Sequence, residues 1–141
     1  MAAHQISLAK DYFLTPEDDL TLLGSEFDIN QIYFEYEKRL RATGNVDFGD
    51  LIMKPAQIME QYQDIENYIH NRFKVVMVDE YQDSNIAQYK LLQKISGVER
   101  NTGNYVCVVG DDDQSIYKFR GAEVQNILSF SEKFPGTEIV K

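Results

Sequence analysis

Five residues, DEYQD at 79–83, follow directly on the apolar run FKVVMV, and a second acidic cluster, GDDDQS at 110–115, follows the apolar run YVCVV. These are the positions in the chain whose residue types could do chemistry. A carboxylate at the tip of a buried strand can hold Mg²⁺, directly or through water, while the metal bridges phosphate oxygens. A second carboxylate one residue on can face a water and align it for attack on a terminal phosphoryl group. Asp79 and Glu80 have that relationship, and the amide of Gln114 is suited to touch the phosphate or its water. The plainer reading is that acidic residues merely end strands and start helices, with Asp83 or Ser84 as an N-cap. One acidic strand end is weak evidence. Two in series, the second followed by Gln114, Ser115, Tyr117, Phe119 and Arg120, is stronger.

Phosphate chemistry also needs a cradle, usually a Gly-rich loop carrying Lys and Ser or Thr. The glycines stand at 24, 44, 49, 97, 103, 110, 121 and 136, and none belongs to a GxxxxGK[ST] loop. The residues amount to half of a nucleotide site.

The elements that must position this half-site read as a parallel α/β arrangement. KVVMVD (74–79) and YVCVVG (105–110) are short continuous apolar runs, the pattern of strands covered on both faces. SNIAQYKLLQKI (84–95) reads as the helix between them, AEVQNILSF (122–130) as a further helix, and TEIVK (137–141) as the beginning of a third strand. Strand, helix, strand, helix, strand at these spacings implies a parallel sheet, whose binding crevice lies beyond the C-terminal ends of the strands. A last strand with no covering helix suggests a cut rather than a natural stop.

Upstream the pattern is helical. In TPEDDLTLL (15–23) Thr15 is placed as an N-cap, with Pro16 at the first helical position and Asp18 three residues after the cap. DINQIYFEYEKRLRATG (28–44) is a clearer helix ending before Gly44. Residues 47–73 place Ile58, Tyr62, Ile65 and Ile69 at helical spacing, with Pro55 expected to kink or divide the segment. Met53, Met59 and Met77 read as packing residues.

Composition narrows the class. The chain has 141 residues, 43% of them apolar and 26% charged, as in an ordinary globular domain. The formal charge is −9: residues 1–70 carry 13 acidic and 5 basic side chains, residues 71–141 carry 10 and 9. That balance argues against broad non-specific nucleic-acid binding, though not against a local contact. Cys107 is the only cysteine, so no internal disulfide can form, and it is expected as a buried small hydrophobe. No run approaches the roughly 20 apolar residues that span a bilayer, and MAAHQISLAKDYF does not look like a secretory signal. A cytoplasmic home and no membrane partner are expected.

FKVVMVDEYQDSNIAQYKLL and VCVVGDDDQSIYKFRGAEVQNILSF together resemble two conserved motifs of the UvrD/PcrA/Rep-like superfamily 1A DNA helicases, the Walker B box and the motif coupling ATP to DNA. YEKRLRATGNVDFGDLI, TPEDD and ISLAK also resemble family segments. The resemblance implies a partial RecA-like parallel sheet with flanking helices, preceded by a mostly helical segment. Residues 1–46 would be the helical part of a 1B-like subdomain, and 47–141 the C-terminal part of the 1A RecA-like domain. It implies ATP and Mg²⁺ as cofactors, single-stranded and duplex DNA as partners, and 3′-to-5′ translocation and unwinding by the complete enzyme together with its remaining helicase domains.

By the same resemblance Asp79 would coordinate Mg²⁺, Glu80 would position the hydrolytic water and Gln114 would sense the γ-phosphate. Gln82, Asp83, Asp111 and Arg120 would organise the nucleotide edge and its coupling. Tyr117 and Phe119 would face single-stranded DNA, Phe119 as the stacking platform where the family often has Trp. Phe48 would contact DNA or pack. The family's Walker A loop and adenine-reading motif would precede residue 1, and the arginine-bearing motifs of the second RecA-like domain would follow residue 141, so the isolated chain is expected to be inactive. The competing expectation is a non-enzymatic remnant or regulatory domain that binds single-stranded DNA or a protein. A different Mg²⁺-dependent phosphotransferase would need a phosphate-binding group that the chain does not show. Self-association through the uncovered edge of the incomplete sheet is also expected.

Overall fold

The computed structural model describes residues 2–24, 28–100, 102–111 and 130–140. In chain order the helices are α1 (Ala2–Asp11), α2 (Ile29–Ala42), α3 (Asp50–Gln61), α4 (Gln63–Arg72), α5 (Ile86–Ser96) and the short α6 (Phe130–Lys133). Strands β1 (Val75–Val78) and β2 (Tyr105–Val108) flank α5 in sequence and pair in parallel. Val75 lies opposite Tyr105 and Val78 opposite Val108. The architecture is mostly helical with a small parallel sheet, the α/β class that the apolar runs imply.

Two of the helices start on a side-chain cap. Asp28 caps α2 by accepting from the Gln31 N–H at 3.1 Å. Asn85, not Asp83 or Ser84, caps α5. Its side chain accepts from Gln88 N–H while the Gln88 side chain accepts from Asn85 N–H, both at 2.9 Å. The shift has a local cause: Tyr81–Asp83 form a 3₁₀ turn that delays the helix start.

Residues 15–23 do not form the expected α-helix. Asp18 Oδ2 accepts from both the N–H and the hydroxyl of Thr15, at 2.7 and 2.8 Å, so the hydroxyl is committed to a carboxylate and not to a helix N–H. Asp19 then accepts from the N–H and hydroxyl of Thr21. Such local side-chain bonds compete with helix propagation, and only one 3₁₀ turn, Thr21–Leu23, follows. The helical stretch after residue 47 divides at Tyr62, whose backbone is extended, rather than at Pro55, which lies inside α3. Leu51, the residue whose carbonyl loses its partner to Pro55, is exposed, so water can satisfy it. The buried face of α3 is Asp50, Met53, Ala56 and Met59, whereas Ile58, Tyr62 and Ile65 face outward.

Among the described residues two hydrophobic clusters form the core. Ile6, Ala9, Leu20, Ile29 and Tyr33 join α1 to α2. Tyr81, Leu92, Phe130 and Phe134 cover one face of the sheet, against Val76, Val78, Val106 and Val108. Phe130 stacks on Phe134 and meets Tyr81 edge to face. The other sheet face is open among the described residues, correcting the expectation of strands covered on both sides. Val75, Met77 and Tyr105 are 58%, 72% and 63% exposed, and Cys107 is only half-buried. Met77 is therefore not a packing residue, while Met53 and Met59 are. Residues 137–140 form no strand, and Ile139 and Val140 lie in solvent without a ladder partner. The helix expected over 122–130 falls outside the described residues apart from Phe130, which opens α6. No helix among the described residues is long and apolar enough to cross a membrane.

Candidate nucleotide and metal site

Parallel pairing carries both acidic strand ends to the same edge. Val109 N–H donates to Val78 O at 2.8 Å, and Tyr81 N–H donates back to Val109 O at 2.9 Å, so the backbone linkage continues one step past the ladder. Beyond it the chain reverses at Glu80, which takes a left-handed backbone, φ 51° and ψ 39°. A non-glycine residue pays roughly 1–2 kcal/mol for that conformation, and such strain gathers where a side chain must be aimed. Asp79 and Glu80 are both exposed, with Asp79 Oδ1 accepting from Glu80 N–H at 3.0 Å.

Gln82 ties the two tips together. It is 1% exposed, and both ends of its amide are used. Asp111 N–H can only donate, so Gln82 Oε1 must face it, at 3.0 Å. Nε2 is then committed to Glu80 Oε2 at 2.5 Å. One buried amide thus holds a carboxylate from the first tip and the backbone of the second. Asp83 Oδ1 is buried without a hydrogen-bond partner. Tyr81 lies beneath the turn, and burial pushes its hydroxyl up to about 12, the neighbouring Tyr89 adding to the effect. An open groove of about 380 Å³ runs along this edge, lined by Asp79, Glu80, Asp83, Ser84 and Gln88 with Val78, Tyr81 and Leu92.

Of the residues singled out in the sequence, Asp79, Glu80, Gln82, Asp83 and Asp111 come together here. Phe48 stands apart on the turn before α3 and is 90% exposed, which rules out a core-packing role within the described structure. Gln114, Tyr117, Phe119 and Arg120 lie outside the described residues.

A second charged constellation was not anticipated. Lys10, on the apolar face of α1 with Ile6 and Ala9, is 1% exposed. Its Nζ lies 2.5 Å from Glu37, 2.8 Å from Asp47 and 2.8 Å from Asp50. Lys54 bridges Glu37 and Asp50 at 2.8 and 2.9 Å, and the Tyr36 hydroxyl donates to Asp47 at 2.9 Å. The three carboxylates are close enough together to hold a metal ion, but the Lys10 ammonium already stands within reach of all three. Burial acts to lower the Lys10 pKa, and the hydrogen bonds it donates to Asp47, Asp50 and Glu37 outweigh that effect, so the net direction is upward. For Asp47 burial acts upward, and the Lys10 bond, the Asp50 N–H and the Tyr36 hydroxyl carry the net direction downward. The sequence did hold one signal: a lysine at i+4 from Ile6 on the apolar side of an otherwise amphipathic helix.

Residues 1–135 match the UvrD/REP helicase N-terminal domain. The chain is 39% identical, over 99% of its length, to ATP-dependent DNA helicase UvrD1 of Mycobacterium bovis, covering 19% of that protein. It is 36% identical over 96% of its length to ATP-dependent DNA helicase PcrA of Bacillus subtilis, covering 18%. It is 44% identical over 78% of its length to DNA helicase II of Rickettsia typhi, covering 16%. The chain spans about a fifth of the length of these relatives. With its two acidic strand tips joined at one sheet edge and the match running over nearly all of its residues, the chain belongs to the UvrD/REP helicase N-terminal domain family.

Proposed function

We propose that the chain supplies the metal-and-water half of the ATPase site of a 3′-to-5′ DNA helicase. The observation that carries this reading is the Gln82 bridge, which sets Glu80 and the Asp111 backbone in a fixed relation at the edge of an acidic groove. Exposed Asp79 and the unpartnered Asp83 Oδ1 offer carboxylate oxygens, the ligand type that suits Mg²⁺, although among the described residues only Glu37, Asp47 and Asp50 bring three ligand atoms within 4.8 Å of one another. In this reading Asp79 holds the metal, with Asp83 near it, and a bound Mg²⁺ would neutralise charge on the phosphates of ATP. Glu80 receives the Gln82 amide on one oxygen, which aims the carboxylate and leaves acceptor capacity for a water. Gln114 reads the terminal phosphate. Asp111 and Arg120 carry the coupling, and Tyr117, Phe119 and Phe48 take the DNA.

Residues 1–46 are proposed as the 1B-like helical part and 47–141 as the 1A part, with the Lys10 cage at their junction. Because the 141 residues contain no GxxxxGK[ST] loop, the chain by itself is proposed to hydrolyse no ATP. A graft tests the reading. Residues 1–135 replace the matching segment of the Bacillus subtilis relative, and DNA-stimulated ATP hydrolysis is measured. The graft is expected to hydrolyse ATP, and Glu80→Gln within it to lower kcat by about 10²–10⁴-fold. A graft whose turnover survives Glu80→Gln would overturn the assignment.

A further inference from the structure

The last two residues of α1 face different parts of the molecule. Lys10 enters the carboxylate cage, and Asp11 reaches across 74 residues of sequence to Asn85, whose Nδ2 donates to Asp11 Oδ1 at 2.8 Å. The helix stops immediately afterwards. Phe13 is left-handed at φ 62°, Phe13 N–H donates to Lys10 O at 2.9 Å, and Leu14 N–H donates to Ala9 O at 2.8 Å. This two-bond stop fixes where the end of α1 points.

Asn85 has its groups committed. Its Oδ1 must face the Gln88 N–H that it caps, so its Nδ2 must face Asp11. From Asn85 back to Glu80 the chain has no slack. Ser84 N–H donates to Tyr81 O at 3.1 Å, Asp83 N–H to Glu80 O at 3.0 Å, and Tyr81 N–H to Val109 O. A shift of Asn85 is therefore passed through one tight turn to Gln82 and Glu80.

We infer that Asp11 is a positioning residue for the acidic strand tip: α1, anchored by Lys10 in its cage, sets the turn that carries Glu80 and Gln82 through the Asp11–Asn85 pair. The catalytic meaning of that placement rests on the function proposed above, while the placement itself does not. A segment remote in sequence, embedded among α2 and α3, is thereby linked to the groove.

The test uses the 141-residue chain and amide hydrogen exchange. Asn85→Asp keeps an equally good N-cap but removes the donor and sets two carboxylates face to face. Exchange at Tyr81, Asp83 and Ser84 is expected to quicken on the order of tenfold, from loss of one charge-assisted bond. Exchange at Tyr105 and Met53, which lie outside the turn, should stay unchanged. Asp11→Ala removes the acceptor without adding repulsion and should quicken the same three amides, which keeps the test open if Asn85→Asp folds poorly. Asp11→Asn, which keeps an acceptor but loses the charge, should quicken the three amides less than Asp11→Ala. The exchanged pair Asp11→Asn with Asn85→Asp restores a donor and an acceptor and should return the three rates toward those of the parent. Unchanged rates in Asp11→Ala, or an exchanged pair no slower than Asn85→Asp alone, overturn the inference. Mn²⁺ added to the parent chain separates this from the broader reading. If it broadens no signal over residues 79–83, the metal assignment falls, and the exchange results still decide the role of Asp11.

Discussion

Replacing Lys10 by Met removes a buried ammonium while keeping an unbranched stem of similar length against Gly49. Among the described residues it leaves Glu37, Asp47 and Asp50 with Lys54 alone to balance them. Removing one partner of a buried ion pair costs about 3–5 kcal/mol. Glu37 and Asp47 retain 16% and 24% side-chain exposure and Lys54 remains close, so the lower end applies, about 3 kcal/mol. With a urea slope of about 1–3 kcal/mol/M, the unfolding midpoint should fall by about 1–3 M. The pH dependence gives a second check. Asp47 is held below the ordinary carboxylate range, so its contribution to stability is present above its unfolded pKa of about 3.9 and is lost as pH falls through the lower folded value. In Lys10→Met the Lys10 bond that lowered the Asp47 pKa is gone, and protonation relieves Asp47 of its crowding. The deficit relative to the parent should therefore be full at pH 7 and shrink to about half or less near pH 4. Urea titrations followed by far-UV circular dichroism at the two pH values measure this. A deficit below about 1 kcal/mol at pH 7, or one of equal size at pH 4, would mean that Lys10 does not hold these carboxylates together.

Three further outcomes are expected. Gly49 has ordinary helical dihedrals, φ −64° and ψ −37°, yet a Cβ there would lie 2.9 Å from Lys10 Cβ and 2.8 Å from Lys10 Cδ. Gly49→Ala should thus cost about 1–3 kcal/mol in a thermal or urea melt, and a neutral or stabilising result would remove the crowding argument. Because Glu80 is left-handed, Glu80→Gly should be more stable than Glu80→Ala by about 1 kcal/mol; equal stabilities would mean the turn relaxes to another conformation. The open sheet face of Val75, Met77 and Tyr105 should drive self-association, visible by sedimentation velocity across a concentration series and weakened by Met77→Lys. A monomer at every concentration would count against that face as a contact surface.

Much of the strand-tip arrangement was legible because its signal is local. A short apolar run followed at once by acidic residues marks the end of a strand, and two such runs separated by one helix place both ends on one edge. Asp79, Glu80, Asp83 and Asp111 met there for that reason. The bridge through Gln82 was not legible, since it depends on a backbone N–H 29 residues away. The missed N-cap, Asn85 instead of Asp83 or Ser84, and the failed helix after Thr15 share a cause. Short polar side chains can close turns as readily as they cap helices, and the sequence does not say which competitor wins. The outward face of α3 misled because Ile58, Tyr62 and Ile65 keep helical spacing across the break at Tyr62, while the buried face is lined by Met53, Ala56 and Met59. Lys10 escaped attention because a lysine usually snorkels to solvent, and only the three carboxylates brought from α2 and from residues 47–50 make its burial tolerable.

The role proposed for the acidic strand tip requires that it bind a divalent cation. Mn²⁺ titrated into the isotope-labelled chain, with backbone amide signals followed by nuclear magnetic resonance, tests it most directly. Selective broadening is expected over residues 79–83 and at Asp111, lost in Asp79→Asn, with the region of Glu37, Asp47 and Asp50 spared because Lys10 stands among those carboxylates. Broadening centred on that cage, or broadening over residues 79–83 that survives Asp79→Asn, would contradict it.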